Sequence, residues 1–210
     1  RELRSLRGRE WGAVAFVGVG GSALATILFT QSFHYLNPTV AILLQKLQPL
    51  IAIVLAAVVL GEHPGTRFWR WALVALAGAH FVSFPDGRPL GFTWNASTKG
   101  SLFAIGAAIF WGGSTVFGRV ALSRVSFQMT TSLRFLTAVL VLPVVALANG
   151  SLHEVAAATA RDWLYVFMTA IVAGLIALLI YYYGLRSTRA SVATLCELAY
   201  PLASTVVNWK

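Results

Sequence analysis

Three ionisable side chains stand inside long apolar stretches of this 210-residue sequence. Lys46 and Glu197 each lie about seven residues into such a stretch, which places them roughly 10 Å along a helix. Arg134 lies at a similar distance into a third stretch. Because charge is costly away from water, residues of this kind are candidates for ligand binding, proton transfer or mutual pairing.

Prolines follow two of these charges and predict broken helices. A helical proline cannot donate to the carbonyl four residues before it, so the backbone opens there. Broken backbone at membrane depth is buried in protein or lines a water-filled cavity. Residues three and four apart share a helix face, so these positions predict two walls of a central cavity. The walls consist of Gln45, Gln48 and Pro49, with Lys46 at their edge, and of Glu197, Tyr200 and Pro201.

The pair Lys46 and Glu197 allows three interpretations. The two residues could contact a substrate or carry a proton, because a carboxylate that loses its lysine to a substrate would take up a proton. They could form a buried ion pair that only orients two helices. They could also lie at separate sites.

Three further residues are weighed in the same way. Arg134 either anchors its helix by reaching toward the membrane interface or contacts an anionic substrate. Trp111, which is followed by two glycines, either gates the cavity or belongs to a close helix contact. Glu62 either orders its loop with Arg67 or Arg70, which is the prediction here, or contacts a substrate.

The composition places these residues in a membrane. The chain is 58% hydrophobic and 11% charged, whereas soluble domains carry about 25% charged residues. A soluble enzyme is therefore excluded. One cysteine and four scattered histidines indicate no metal site, and no phosphate-binding loop or cofactor motif is present.

Apolar stretches of membrane-spanning length predict an all-α integral membrane bundle. Short turn-forming segments separate one stretch from the next. The predicted spans are 11–34, 39–60, 68–84, 101–118, 127–148, 163–184 and 190–209.

The net charge of +9 reports orientation rather than nucleic-acid binding. If the N-terminal arm is cytoplasmic, ten lysines and arginines fall on the cytoplasmic side and three on the other. This asymmetry is the one the positive-inside rule describes. The sequence predicts a multi-pass protein of a bacterial or archaeal plasma membrane, with the lipid bilayer and a small molecule as its partners.

An internal repeat organises the spans. Trp11 and Trp163 are 152 residues apart, and Pro49 and Pro201 have the same separation. A unit of five helices is odd in number, so its second copy would enter the membrane from the opposite side. We expect a ten-helix protein with two helices before this chain and one after it. Residues 1–84 would end the first repeat, 85–98 would form a non-cytoplasmic linker, and 99–210 would hold four helices of the second repeat.

Several short motifs resemble those of the drug/metabolite transporter superfamily, in its EamA-type branch. They are Leu47-Gln48-Pro49-Leu50, Leu60-Gly61-Glu62, Phe110-Trp111-Gly112-Gly113-Ser114 and Arg134. The resemblance implies secondary transport of a small metabolite or drug by alternating access, as export or exchange. Proton coupling is the expectation from Lys46 and Glu197. A membrane scaffold or receptor is the alternative, followed by a lipid-modifying enzyme, for which the clustered carboxylates or histidines are missing.

Overall fold

The computed structural model describes residues 6–83, 98–148, 150, 157–199 and 203. All regular elements in these residues are helical. Tyr200, Pro201 and the predicted linker 85–98, apart from Thr98, lie outside the described residues.

Eight helices make up this part of the chain. The first and the seventh are continuous helices with a π-helical segment inside, and the eighth continues into a 3-10 turn at Glu197–Ala199. The helices are α1 Gly8–Ser32, α2 Pro38–Gln45, α3 Gln48–Leu60, α4 Thr66–Ser83, α5 Thr98–Ala121, α6 Phe127–Ala148, α7 Ala160–Leu185 and α8 Ala190–Cys196.

Five helical spans among the described residues are long and apolar enough to cross a membrane. They are Gly8–Ser32, Val40–Leu60, Thr98–Ala121, Phe127–Ala148 and Ala160–Leu185. The predicted span 68–84 corresponds to α4, which is helical but is not among the five because Arg67, Arg70 and His80 lower its mean hydropathy. The last predicted span begins with α8 and continues beyond the described residues.

The span from Val40 to Leu60 is interrupted in its middle. Helix α2 ends at Gln45 and α3 begins at Gln48, with Pro49 in the first turn of the new helix. The amide of Leu47 donates to the carbonyl of Leu44, which tightens the chain between the two helices. Proline fits this position because the first turn of a helix leaves its amides without helical partners.

Helix boundaries recur at the spacing of the predicted repeat. Helices α1 and α7 begin 152 residues apart, and so do α2 and α8. The π-helical segments Phe16–Leu24 and Ala170–Ile176 end at the same spacing. In the first turns of α1 and α7, Glu10 and Asp162 each accept a hydrogen bond from the amide three residues earlier, at 2.9 Å. These matches support an ancestral duplication, while the inverted orientation stays a prediction.

The chain divides into two compact units that do not follow the predicted sequence boundary. The first contains residues 1–23 and 117–187, and the second contains residues 24–116 and 188–210. In the first unit, a buried cluster joins Leu6 and Val14 to Ala121 and Val125. In the second unit, α3, α5 and α8 meet at a cluster of small apolar side chains: Ala52, Ala56, Val116 and Ala190.

Candidate functional site

A polar cavity of about 230 Å³ lies in the second unit, where the break between α2 and α3 meets the end of α8. Most of the residues predicted to wall a central cavity line it. The lining residues are Gln45, Lys46, Gln48, Pro49, Glu197 and Leu198.

The carboxylate of Glu197 is held by donors from two other helices. The side-chain amide of Gln48 donates to Oε2 at 2.7 Å, and the hydroxyl of Thr115 donates to Oε1 at 3.3 Å. Gln45 donates to the amide oxygen of Gln48 at 2.8 Å, which fixes the orientation of that amide. The Glu197 carboxylate thus connects the end of α8 to α3 and α5 at the cavity.

Thr115 was missed by the sequence interpretation. It follows the Phe110–Ser114 motif directly and is almost fully buried, with 4% of its surface exposed. Thr115 could have been recognised as a hydroxyl-bearing residue on the face of α5 that packs against the broken helices.

Lys46 occupies the break itself. Its side chain is half-buried and lines the same cavity as Glu197. Within the described residues, its ammonium group forms no ion pair. The structure therefore brings the two predicted charges to one cavity without a closed pair between them, and the Lys46 ammonium can interact with a ligand.

Trp111 has a packing role in the described structure. Its ring contacts Phe29 edge-on, with the ring centroids 5.2 Å apart, and it does not line the cavity. The next residue, Gly112, permits close helix packing. A Cβ atom there would lie 3.0 Å from the carbonyl oxygen of Gln48 and 3.2 Å from the amide of Ala52. The glycine therefore lets α5 approach α3 at the level of the cavity.

Arg134 lies in the first unit and not among the residues that line the cavity. Its guanidinium donates to the hydroxyl of Ser22, the hydroxyl of Tyr182 and the carbonyl of Gly21. These bonds connect α6 to the π-helical segment of α1 and to α7.

Glu62 caps α8, and the prediction that it orders its loop with Arg67 or Arg70 is wrong. Its carboxylate accepts from the amide of Ala190 at 2.8 Å, and from the amide and hydroxyl of Ser191 at 3.0 and 2.6 Å. The first amides of a helix have no helical partner and attract an anion. The carboxylate thus fixes the start of the helix that carries Glu197.

The hydrogen bonds of Glu62 also control its ionisation. Partial burial acts to raise the pKa of this carboxyl group. The bonds from Ser191 and Ala190 and the charge of Arg189 outweigh burial and hold the pKa below its ordinary value. Glu62 is therefore anionic at neutral pH.

Replacing Glu62 by alanine is expected to lower the free energy of unfolding by about 1–2 kcal/mol, the usual cost of losing a helix cap. Because the pKa is lowered in the folded state, this contribution is complete above the ordinary pKa of glutamate and is lost as pH falls through the lowered value. Unfolding in detergent, followed at pH 7 and in acid, measures it. Glu62→Gln, which removes only the charge, isolates the pH-dependent part. The difference in unfolding free energy between wild type and Glu62→Gln should shrink in acid, and a difference that is independent of pH would contradict the cap.

The apolar helices of membrane-spanning length, one of them broken beside a polar cavity, indicate a polytopic membrane protein. The EamA-like transporter family matches residues 1–84 and 98–209. The chain belongs to this family, so the resemblance found in the sequence is confirmed, as is the all-helical membrane fold.

Two similar proteins give further context. The riboflavin transporter ImpX of Fusobacterium nucleatum subsp. nucleatum is 35% identical over 198 residues, which cover 92% of this chain and 66% of that protein. One solved crystal structure matches this chain with a TM-score of 0.72 at 21% sequence identity. The match covers 92% of this chain and 66% of the chain in that structure. The second similarity shows the shared fold.

Proposed function

We propose that the protein containing this chain is a secondary transporter that moves a small metabolite across a membrane by alternating access. The observation that carries the proposal is the cavity at the break between α2 and α3, where Lys46 and Glu197 both line the wall. Transport sites near the middle of the membrane are commonly formed by ionisable groups around broken helices. Membership in the EamA-like transporter family supports it.

The proposed substrate class is riboflavin and similar amphipathic ring compounds. The similarity to a riboflavin transporter supports this class. So does the chemistry of the cavity wall, because an isoalloxazine ring presents carbonyl oxygens and one N–H along an edge. The Lys46 ammonium and the amides of Gln45 and Gln48 offer donors and acceptors to such an edge.

We further propose that transport is coupled to protons, and the hydrogen bonds of Glu197 support this. A ligand that takes the Gln48 amide would remove the donor at 2.7 Å from the carboxylate. A carboxylate that loses a hydrogen-bond donor takes up a proton more readily. The proposed cycle is export or exchange, with the N-terminal end of the chain in the cytoplasm of a bacterial or archaeal cell.

Riboflavin counterflow in proteoliposomes tests this function. Vesicles that contain the intact protein are loaded with unlabelled riboflavin, and uptake of labelled riboflavin is compared with uptake by protein-free vesicles. We expect saturable uptake that unlabelled flavins inhibit and that a polar sugar of similar mass does not. A protein that binds flavins without moving them would favour the receptor or scaffold alternative.

Lys46→Met separates the ligand-binding role from a structural one. Methionine keeps much of the length of the side chain and removes its charge. The break between α2 and α3 is retained because Pro49 is unchanged. We expect the KM for riboflavin to rise about tenfold, the value of one hydrogen bond from a charged group. Arg70→Met, on an exposed side chain that does not line the cavity, is the matched control and should leave KM unchanged.

A further inference from the structure

The guanidinium of Arg134 has neutral partners in the middle of a membrane-spanning helix. Its Nε donates to the Ser22 hydroxyl at 2.7 Å, one terminal nitrogen to the Tyr182 hydroxyl at 3.0 Å, and the other to the Gly21 carbonyl at 3.4 Å. Gly21 and Ser22 lie near the centre of the 25-residue helix α1. The charge is therefore held far from both ends of that helix.

Within the part of the chain that the structure describes, the charge of Arg134 is not neutralised. Among the described residues, no carboxylate lies within ion-pair distance of Arg134, and the ion pair of the first unit joins Arg124 to Glu10. Hydroxyl and carbonyl groups satisfy hydrogen bonds but leave the net positive charge in place. An unneutralised cation at membrane depth is costly, and an anion that binds there would remove much of that cost.

Donors remain available around this cation. The guanidinium has five N–H groups, and its contacts in the described structure use three of them. One N–H on each terminal nitrogen is left, which is the fork that binds two oxygens of a carboxylate or phosphate. The Tyr182 hydroxyl accepts from Arg134, so its own proton points elsewhere.

The tyrosine is rigidly placed for this task. Tyr182 is fully buried, and its ring packs so closely on Gly118 that a Cβ atom there would lie 2.9 Å from it. The hydroxyl therefore keeps one position without loss of side-chain freedom on binding. Preorganised donors of this kind favour a ligand over water.

We propose that Arg134 and Tyr182 form a binding site for a solute oxyanion, either a carboxylate or a phosphate group. The Arg134 fork binds two oxygens of the anion, and the Tyr182 hydroxyl donates to it from the side. The Ser22 hydroxyl, which donates to the Val17 carbonyl at 3.4 Å, accepts from Arg134 and positions the guanidinium. Lipid headgroups lie near the ends of membrane-spanning helices, whereas Arg134 contacts α1 near its centre, at Gly21 and Ser22. A lipid headgroup is therefore at the wrong depth for this site. The proposal does not depend on which metabolite the cavity of the second unit transports.

Thermal unfolding of the purified intact protein in detergent tests the site, with inorganic phosphate and acetate as probes and chloride used to keep ionic strength constant. We expect the Tm of the wild-type protein to rise saturably with at least one oxyanion. A response to phosphate alone defines a tetrahedral anion, and a response to acetate defines a carboxylate; both support the site. The absence of any saturable rise, or a rise that chloride reproduces, would overturn it.

Matched tyrosine variants separate the site from a general salt effect. Tyr182→Phe removes one donor and should weaken the apparent affinity about tenfold. Tyr183→Phe makes the same change at the next residue, whose ring faces Arg186 at 4.2 Å, and should leave the affinity unchanged. Arg134→Lys keeps the charge but not the fork and should weaken binding at least as much as Tyr182→Phe. If Arg134→Lys does not fold, the comparison of Tyr182→Phe with Tyr183→Phe tests the site. Equal apparent affinities of these two variants for the oxyanion would contradict the proposal.

Discussion

Transport driven by a pH gradient should fall about tenfold or more when Glu197 is replaced by glutamine in the intact protein. The carboxylate accepts hydrogen bonds from Gln48 and Thr115, and bonds to a charged acceptor are worth about 1.5–3 kcal/mol each. Glutamine has nearly the same size but neither the charge nor the ability to take up a proton. Flux into vesicles with and without a pH gradient measures the change.

Glu197→Asp and counterflow complete the test of this residue. Aspartate restores the charge on a shorter side chain and should recover part of the gradient-driven flux. Counterflow needs no net proton movement, so Glu197→Gln should impair it less than gradient-driven flux. Unchanged flux and an unchanged pH dependence in Glu197→Gln would exclude this carboxylate from coupling.

Gly112→Val should damage both stability and transport. The new side chain would begin 3.0 Å from the carbonyl oxygen of Gln48 and 3.2 Å from the amide of Ala52, so α5 and α3 would have to separate. Overpacking of this kind costs about 1–3 kcal/mol. Separation would also move Thr115 away from Glu197, so we expect a lower Tm and loss of transport together.

Gly78→Val is the control for this variant. Gly78 is also helical, in α4, and a Cβ atom there would have nothing within 4 Å. Valine at this position should leave Tm and transport close to wild type. A Gly112→Val protein with the Tm and the transport rate of Gly78→Val would show that the close approach of α5 to α3 is not needed.

Much of the cavity could be predicted from local rules. The spacing of Gln45, Gln48 and Pro49 depends on helix periodicity and on the missing amide of proline, and both act within one turn of the chain. The structure accordingly brings these residues together with Lys46 and Glu197. Tyr200 and Pro201 lie outside the described residues, so the rest of the second predicted wall, beyond Glu197, stays a prediction.

The contacts that the sequence did not reveal are between distant helices. Glu62 reaches the start of α8, 128 residues away, and a loop carboxylate followed by arginines gives no sign of such a partner. Nothing in the sequence distinguishes Thr115 from other helical threonines, because its contact with Glu197 exists only once α5 packs against α3. The sequence offers an interfacial anchor or an anionic-substrate contact for Arg134, and it gives no sign of the partners that the structure shows in α1 and α7.

The π-helical segments were also beyond sequence reasoning. Apolar periodicity predicts that a helix spans the membrane, but it does not distinguish an α-helical from a π-helical turn. One of the two segments is Phe16–Leu24. The match in position between this segment and Ala170–Ile176 became visible only when the helix boundaries were known.

Thiol accessibility at position 46 tests the central claim, that the cavity opens to each side of the membrane in turn. Cys196 is free and exposed, so it is first replaced by serine, and Lys46→Cys then supplies a single reactive thiol. A membrane-impermeant reagent is applied to sealed vesicles from either side. Labelling from both sides, slowed by riboflavin, is the predicted result. Labelling from one side alone, or from neither, would contradict alternating access through this cavity.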